Sequence, residues 1–126
     1  MITAYQLITA ADGHSHIIKG QVSEQFTSKA ISIHFKETAA GSSYNWHPAP
    51  KTQFVLTLTG SLEFAVFSGE KFVLNAGEVL IAQDTTGSGH TWQMLGNEPW
   101  KRAYVVFAAG EDVGFVADAE TENSTK

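Results

Sequence analysis

Residues 45–60 read NWHPAPKTQFVLTLTG, and the types of residue in this stretch decide the fold. Thr52 to Thr59 is rich in β-branched and apolar side chains, which predicts a strand. Gly60 and Ser61 then turn the chain into a second strand-like run, LEFAVF at 62–67. His47 stands just ahead of the first strand, so an imidazole is carried at its entry. Within the strand Phe54, Leu56 and Leu58 share one face, and Gln53, Val55, Thr57 and Thr59 share the other. Neither is plainly a solvent face. Such a strand needs cover on both sides, from a barrel interior and from a second layer or subunit, so a homodimer is the expected assembly.

The same pattern extends in both directions. Residues 2–9 form a first strand or an extended arm. AISIHF at 30–35 alternates, with Ile31, Ile33 and Phe35 on one face and Ser32 and His34 on the other. SGE at 68–70 turns the chain into KFVL, and Asn75-Ala76-Gly77 turns it into EVLIAQ. Pro99 precedes a last run, RAYVVFA. Short strands at close spacing, with glycine turns and no convincing amphipathic helix, predict an antiparallel sandwich or barrel. One domain over residues 1–117 suffices for a chain of 126 residues. The polar stretch DAETENSTK at 118–126 has nothing to bury and is expected to be a mobile tail.

Composition narrows the functional classes. A net charge of −5, with no basic cluster, argues against nucleic acid or an anionic membrane as a partner. Cysteine is absent, which excludes disulfides, thiolate nucleophiles and cysteine-ligated metals. MITAYQLITAADG at the N-terminus has no positive residue before its apolar stretch and does not read as a signal peptide. No run approaches the roughly 18 apolar residues of a spanning helix. A cytoplasmic location is the expectation. No phosphate-cradling glycine loop leads into a helix, no serine nucleophile elbow occurs, and no carboxylate couple suggests a glycosidase.

The spacing around His47 resembles the first motif of the cupin superfamily of small β-barrels. That motif runs glycine, five residues, His-x-His, three or four residues, glutamate, six residues, glycine. Here Gly41 is followed by five residues and His47. Ala49 stands at the second histidine, Gln53 at the glutamate, and Gly60 closes the motif. In the second motif Gly77 opens, Gln83 replaces a proline, and the loop DTTGSG runs about two residues longer before His90. Met94 replaces an asparagine. The likeness covers residues 30–108, and the two segments look like those of small single-domain bacterial cupin-domain proteins. It implies an all-β cupin-type double-stranded β-helix, a jelly-roll barrel of antiparallel sheets. Function does not follow from that fold, which serves enzymes, sensors and storage proteins alike.

In metal-binding cupins the motif histidines and the glutamate converge inside the barrel. Carried over by position, His47, Gln53 and His90 are the candidate metal ligands, for one divalent iron, manganese, nickel or zinc ion. Ala49 has no donor atom, and Gln53 offers only a neutral carbonyl oxygen. Two imidazoles and an amide leave the ion's double charge poorly neutralised. Affinity should fall, because charge-assisted contacts contribute about twice what neutral ones do. A substrate carboxylate would restore the charge, as would Asp84 if its loop folds inward. The alternative, of about equal weight, has no metal, with His47 and His90 lining a pocket as hydrogen-bonding or acid–base groups.

If HTWQM is a strand, His90, Trp92 and Met94 point the same way. Trp92, Met94 and Thr57 are therefore the expected pocket wall around a small-molecule ligand. Trp100, after Pro99, is expected in the core or at a dimer contact. The true His-x-His pair, His14 and His16, lacks a glutamate at the right distance and reads as surface or interface histidines. His34 is left between pocket and surface. Two functions follow: an enzyme on a small metabolite, metal-assisted or using histidine, and a non-catalytic module that binds or senses a ligand.

Overall fold

A computed structural model describes residues 1–119. The expected tail at 118–126 therefore lies, from residue 120 onward, outside the described residues. The described chain is all β. Its strands are β1 (Ile2–Thr9), β2 (Ser15–Val22), β3 (Ser32–Thr38), β4 (Ser43–His47), β5 (Gln53–Thr59) and β6 (Ser61–Val66). They continue with β7 (Lys71–Asn75), β8 (Val79–Gln83), β9 (His90–Leu95), β10 (Trp100–Val106) and β11 (Phe115–Ala117). No helix among the described residues is long and apolar enough to cross a membrane.

Two sheets face one another in a jelly-roll arrangement. The larger runs β11-β2-β1-β8-β5-β10-β3, and the smaller runs β4-β9-β6-β7. The expectation of antiparallel sheets holds with one correction: β1 pairs in parallel with β8, Ala4 opposite Val79 through Ile8 opposite Gln83. The N-terminal hairpin is thereby inserted into the wall of the larger sheet. Gly60 is where the chain leaves the larger sheet (β5) for the smaller (β6). Its φ of 95° is left-handed, and a side chain there would press on the Pro99 carbonyl.

The space between the sheets has two unlike halves. Leu7, Leu62, Phe64, Val66, Leu74 and Leu80 fill one half with close-packed apolar side chains. The other half is an open cavity walled mainly by β3, β4, β5, β9 and β10, where polar and aromatic residues join aliphatic ones and Phe64 and Leu80 stand at the boundary with the core. Strand period alone produces this split. Gln53, Val55 and Thr57 turn inward on β5 and are buried, while Leu58 on the opposite face is 58% exposed. A second apolar cluster of Ala4, Ile81, Phe107 and Val113 lies apart from the main core, with Val22, Phe54 and Phe115 packed on it.

β3 departs from the usual rule that apolar faces turn inward. Ser32, His34, Lys36 and Thr38 face the cavity, whereas Ile31, Ile33 and Phe35 are 68%, 57% and 69% exposed. Its register against β10 fixes this orientation, with Thr38 opposite Trp100, Lys36 opposite Arg102 and His34 opposite Tyr104.

The apolar half is the expected source of stability. Leu62 is fully buried in it, so Leu62→Ala should destabilise by about 2–5 kcal/mol, measured by equilibrium denaturation.

Candidate functional site

The cavity measures about 620 Å³, within the roughly 300–1,000 Å³ usual for small-molecule sites. Cross-strand pairing brings the two motif histidines together at its wall. β4 pairs with β9 with His47 directly opposite His90, and the ring centroids lie 4.5 Å apart, tilted by 60°. The approach requires Gly89. It has a left-handed φ of 72°, and a Cβ there would collide with the His47 carbonyl.

Both imidazoles are held through Nδ1. His47 Nδ1 lies 2.6 Å from the Asn45 carbonyl oxygen. A carbonyl only accepts, so Nδ1 carries the proton and the neutral ring has its lone pair on Nε2. His90 Nδ1 lies 2.7 Å from Asp84 Oδ2, and the same oxygen accepts from the Ser15 hydroxyl at 2.6 Å. Asp84 is fully buried, and its Oδ1 is the one buried side-chain polar atom without a partner among the described residues. The backbone joins in, since the Ala49 N–H donates to the Asp84 carbonyl at 2.9 Å. Asp84 thus folds inward but meets the back of His90, where it orients the ring, and it is not part of the cavity wall.

Gln53 is buried at the cavity wall, and its side chain makes no hydrogen bond among the described residues. Ala49, also at the wall, is buried and offers no donor atom. Among the described residues, no group of three or more His, Cys, Asp or Glu could hold a metal ion. The donors present are two imidazole Nε2 atoms and one neutral amide. That set falls short of the closed shell that retains an ion firmly.

The expected wall residues separate. Trp92 lines the cavity and meets Trp100 edge-on at 5.0 Å. Thr57 is buried below it and accepts the Trp100 indole N–H at 3.2 Å. Met94 belongs to the apolar core. Neither Thr57 nor Met94 lines the cavity. Trp100 does both, being 2% exposed within the core and present at the wall. Trp46 is 49% exposed. His34 lines the cavity and stacks on Tyr104 at 4.9 Å. His14 and His16 stay outside: His14 contacts Ser88 and stacks on Phe67, and His16 pairs with Asp12.

Two participants were absent from the sequence reading. Ser15 carries no motif that would single it out. Arg102 did leave a signal, because Trp100, Arg102, Tyr104 and Val106 alternate on one face of β10 and all four line the cavity.

No protein-family model matches the chain, and no curated protein matches it. Among solved structures it is similar to a DUF861 family protein from Thermotoga maritima, at 21% identity and a TM-score of 0.47. That match covers 60% of this chain and 77% of the other.

Burial pushes the His47 pKa below the ordinary imidazole value; neighbouring His90 adds to the fall, while the Asn45 hydrogen bond and Asp84 oppose it. The unfolded chain takes up a proton below about pH 6.5 that folded His47 resists. Stability tied to this ring is therefore present above that pH and lost as the pH falls through the folded value. Urea midpoints at pH 7.5 and 5.5 should differ more for the parent than for His47→Gln.

Proposed function

We propose that the protein binds a small organic molecule in the cavity, with His47, Gln53 and His90 as its polar centre. One observation carries this reading. The cavity wall holds the Gln53 amide, which is open to the cavity and has no protein partner among the described residues, together with two imidazoles whose Nδ1 atoms are already engaged. A few free polar groups in a largely apolar pocket are what orients a bound small molecule, and a ligand's polar atoms would meet them here. Trp92, Trp100, Phe64 and Tyr104 would contact its apolar part.

A thermal-shift screen of small metabolites against the full chain and a His47→Ala, His90→Ala double variant tests the reading. A compound at about 100 times its dissociation constant stabilises by about 2.7 kcal/mol. The expected result is a compound that stabilises the parent and loses its effect in the variant. Equal stabilisation of both proteins by every active compound would refute the site.

The Nδ1 hydrogen bonds also favour a second reading, since metal-binding histidines are commonly oriented through the ring nitrogen away from the ion. Nε2 of His47 and His90 with the Gln53 carbonyl would hold a divalent iron, manganese, nickel or zinc ion, and the bound organic molecule would complete the shell. Such an ion would polarise a ligand oxygen or activate water. Without one, neutral His47 would be the base available for proton transfer. Elemental analysis of untagged protein should find near-stoichiometric metal that the double variant loses. A metal-free parent that also takes up none of the four ions would end this reading.

The homodimer is proposed through β3, an edge strand of the larger sheet that turns Ile31, Ile33 and Phe35 outward. An apolar strand with an unpaired edge favours pairing with a second copy. Sedimentation equilibrium should give a dimer, and Phe35→Lys should give a folded monomer. A parent that is monomeric at every concentration removes the proposal.

A further inference from the structure

Arg102 is 2% exposed at the cavity wall, and no salt bridge reaches it among the described residues. Its guanidinium has five N–H donors. Nε donates to the Tyr104 hydroxyl at 3.0 Å. Nη1 donates to the Thr38 hydroxyl at 2.6 Å and to the Trp100 carbonyl at 3.1 Å. Among the described residues, those three bonds leave both hydrogens of Nη2 without a protein acceptor. Nη2 is also not a sealed-off atom, since among the described residues only Asp84 Oδ1 is both buried and unpartnered. The Tyr104 hydroxyl, having accepted from Nε, keeps its own hydrogen to donate.

The charges around Arg102 point the same way. Lys36 lies directly opposite it in the β3–β10 register, and like charges so placed repel. Lys51 also lines the cavity, and among the described residues no aspartate or glutamate does. The chain as a whole is acidic, with a net charge of −5, so a wall with three fixed cations and no carboxylate among the described residues departs from its average. The Trp100 ring, 3.7 Å from the guanidinium carbon, offsets part of the cost of burying the cation. It supplies no counter-charge.

We propose that the ligand is a small organic carboxylate, its carboxyl group held by Arg102 Nη2, the Tyr104 hydroxyl and Lys36. This inference rests on the small-molecule reading above and adds the chemical class of the ligand. Arginine and lysine on carboxylate oxygens form charge-assisted hydrogen bonds, the stronger kind. The cavity extends from this anchor to His47, Gln53 and His90, so the opposite end of the acid faces the polar centre.

Titration calorimetry of the full chain at constant ionic strength tests this with benzoate, benzamide and inorganic phosphate. Benzoate should bind at least about tenfold more tightly than benzamide, the factor expected for one hydrogen bond to a charged group. Lys36→Met changes an exposed side chain and should keep the fold, weakening benzoate severalfold and leaving benzamide unchanged. Arg102→Lys, which retains the buried charge but loses Nη2, should weaken benzoate by a similar or larger factor. Benzamide binding as well as benzoate would overturn the carboxylate class and leave the small-molecule reading standing. Phosphate binding more tightly than benzoate would overturn it in favour of another anion. Benzoate affinity indifferent to both substitutions would overturn the assignment to Arg102 and Lys36. Silence from all three probes would overturn this inference, while the separate metabolite screen decides the underlying reading.

Discussion

The Asp84 carboxylate holds the site together. It sits fully buried where β2 begins, where β8 has just ended and where β9 is about to start. One oxygen accepts from both Ser15 and His90, and its backbone carbonyl receives the Ala49 N–H. A buried carboxylate is costly unless such donors surround it, so the geometry around it is strongly constrained. That constraint aims His90, and through the β4–β9 pairing it limits where His47 can lie. Replacing either donor would leave more of the carboxylate uncompensated, a larger penalty than a lost neutral contact.

The interior divides its labour along the sheet. The apolar half supplies the burial that keeps two sheets together, and the polar half accepts unsatisfied groups that a uniform core would exclude. Such local violations of packing and pairing rules are where function is generally found. Here they collect on the inward faces of β3, β5 and β10 and on the paired ends of β4 and β9. The cavity is continuous from the cationic wall at Arg102 to the paired histidines.

Much of this was legible in the residues. The motif position of Gln53 implied a polar group inside a barrel, and glycines at 60 and 77 marked turns between strands. His47 and His90 could be paired by motif spacing alone. The parallel union of β1 with β8 could not, because strand pairing over such a separation leaves no local trace. The residues of β3 left His34 between pocket and surface, and it is the register with β10 that turns His34 and Lys36 to the cavity. Arg102 was hidden by strand boundaries, since a strand read as beginning at Arg102 makes it a terminal charge. With Trp100 as the first residue of β10, the arginine falls inside the strand on the buried face. Thr57 and Met94 share faces with cavity residues but lie too far along their strands to reach the opening, a matter of depth that alternation does not encode.

The parallel pairing of β1 with β8 also orders events during synthesis. The β1–β2 hairpin can form early, but the other edge of β1 stays bare until Val79–Gln83 has left the ribosome. β11, which flanks β2, arrives later still. Contacts so distant along the chain make folding slow, and an unpaired early hairpin is a sticky intermediate. The nascent chain therefore passes through a window in which its first strands are vulnerable to pairing with a neighbour's, and the closing of the larger sheet ends that exposure.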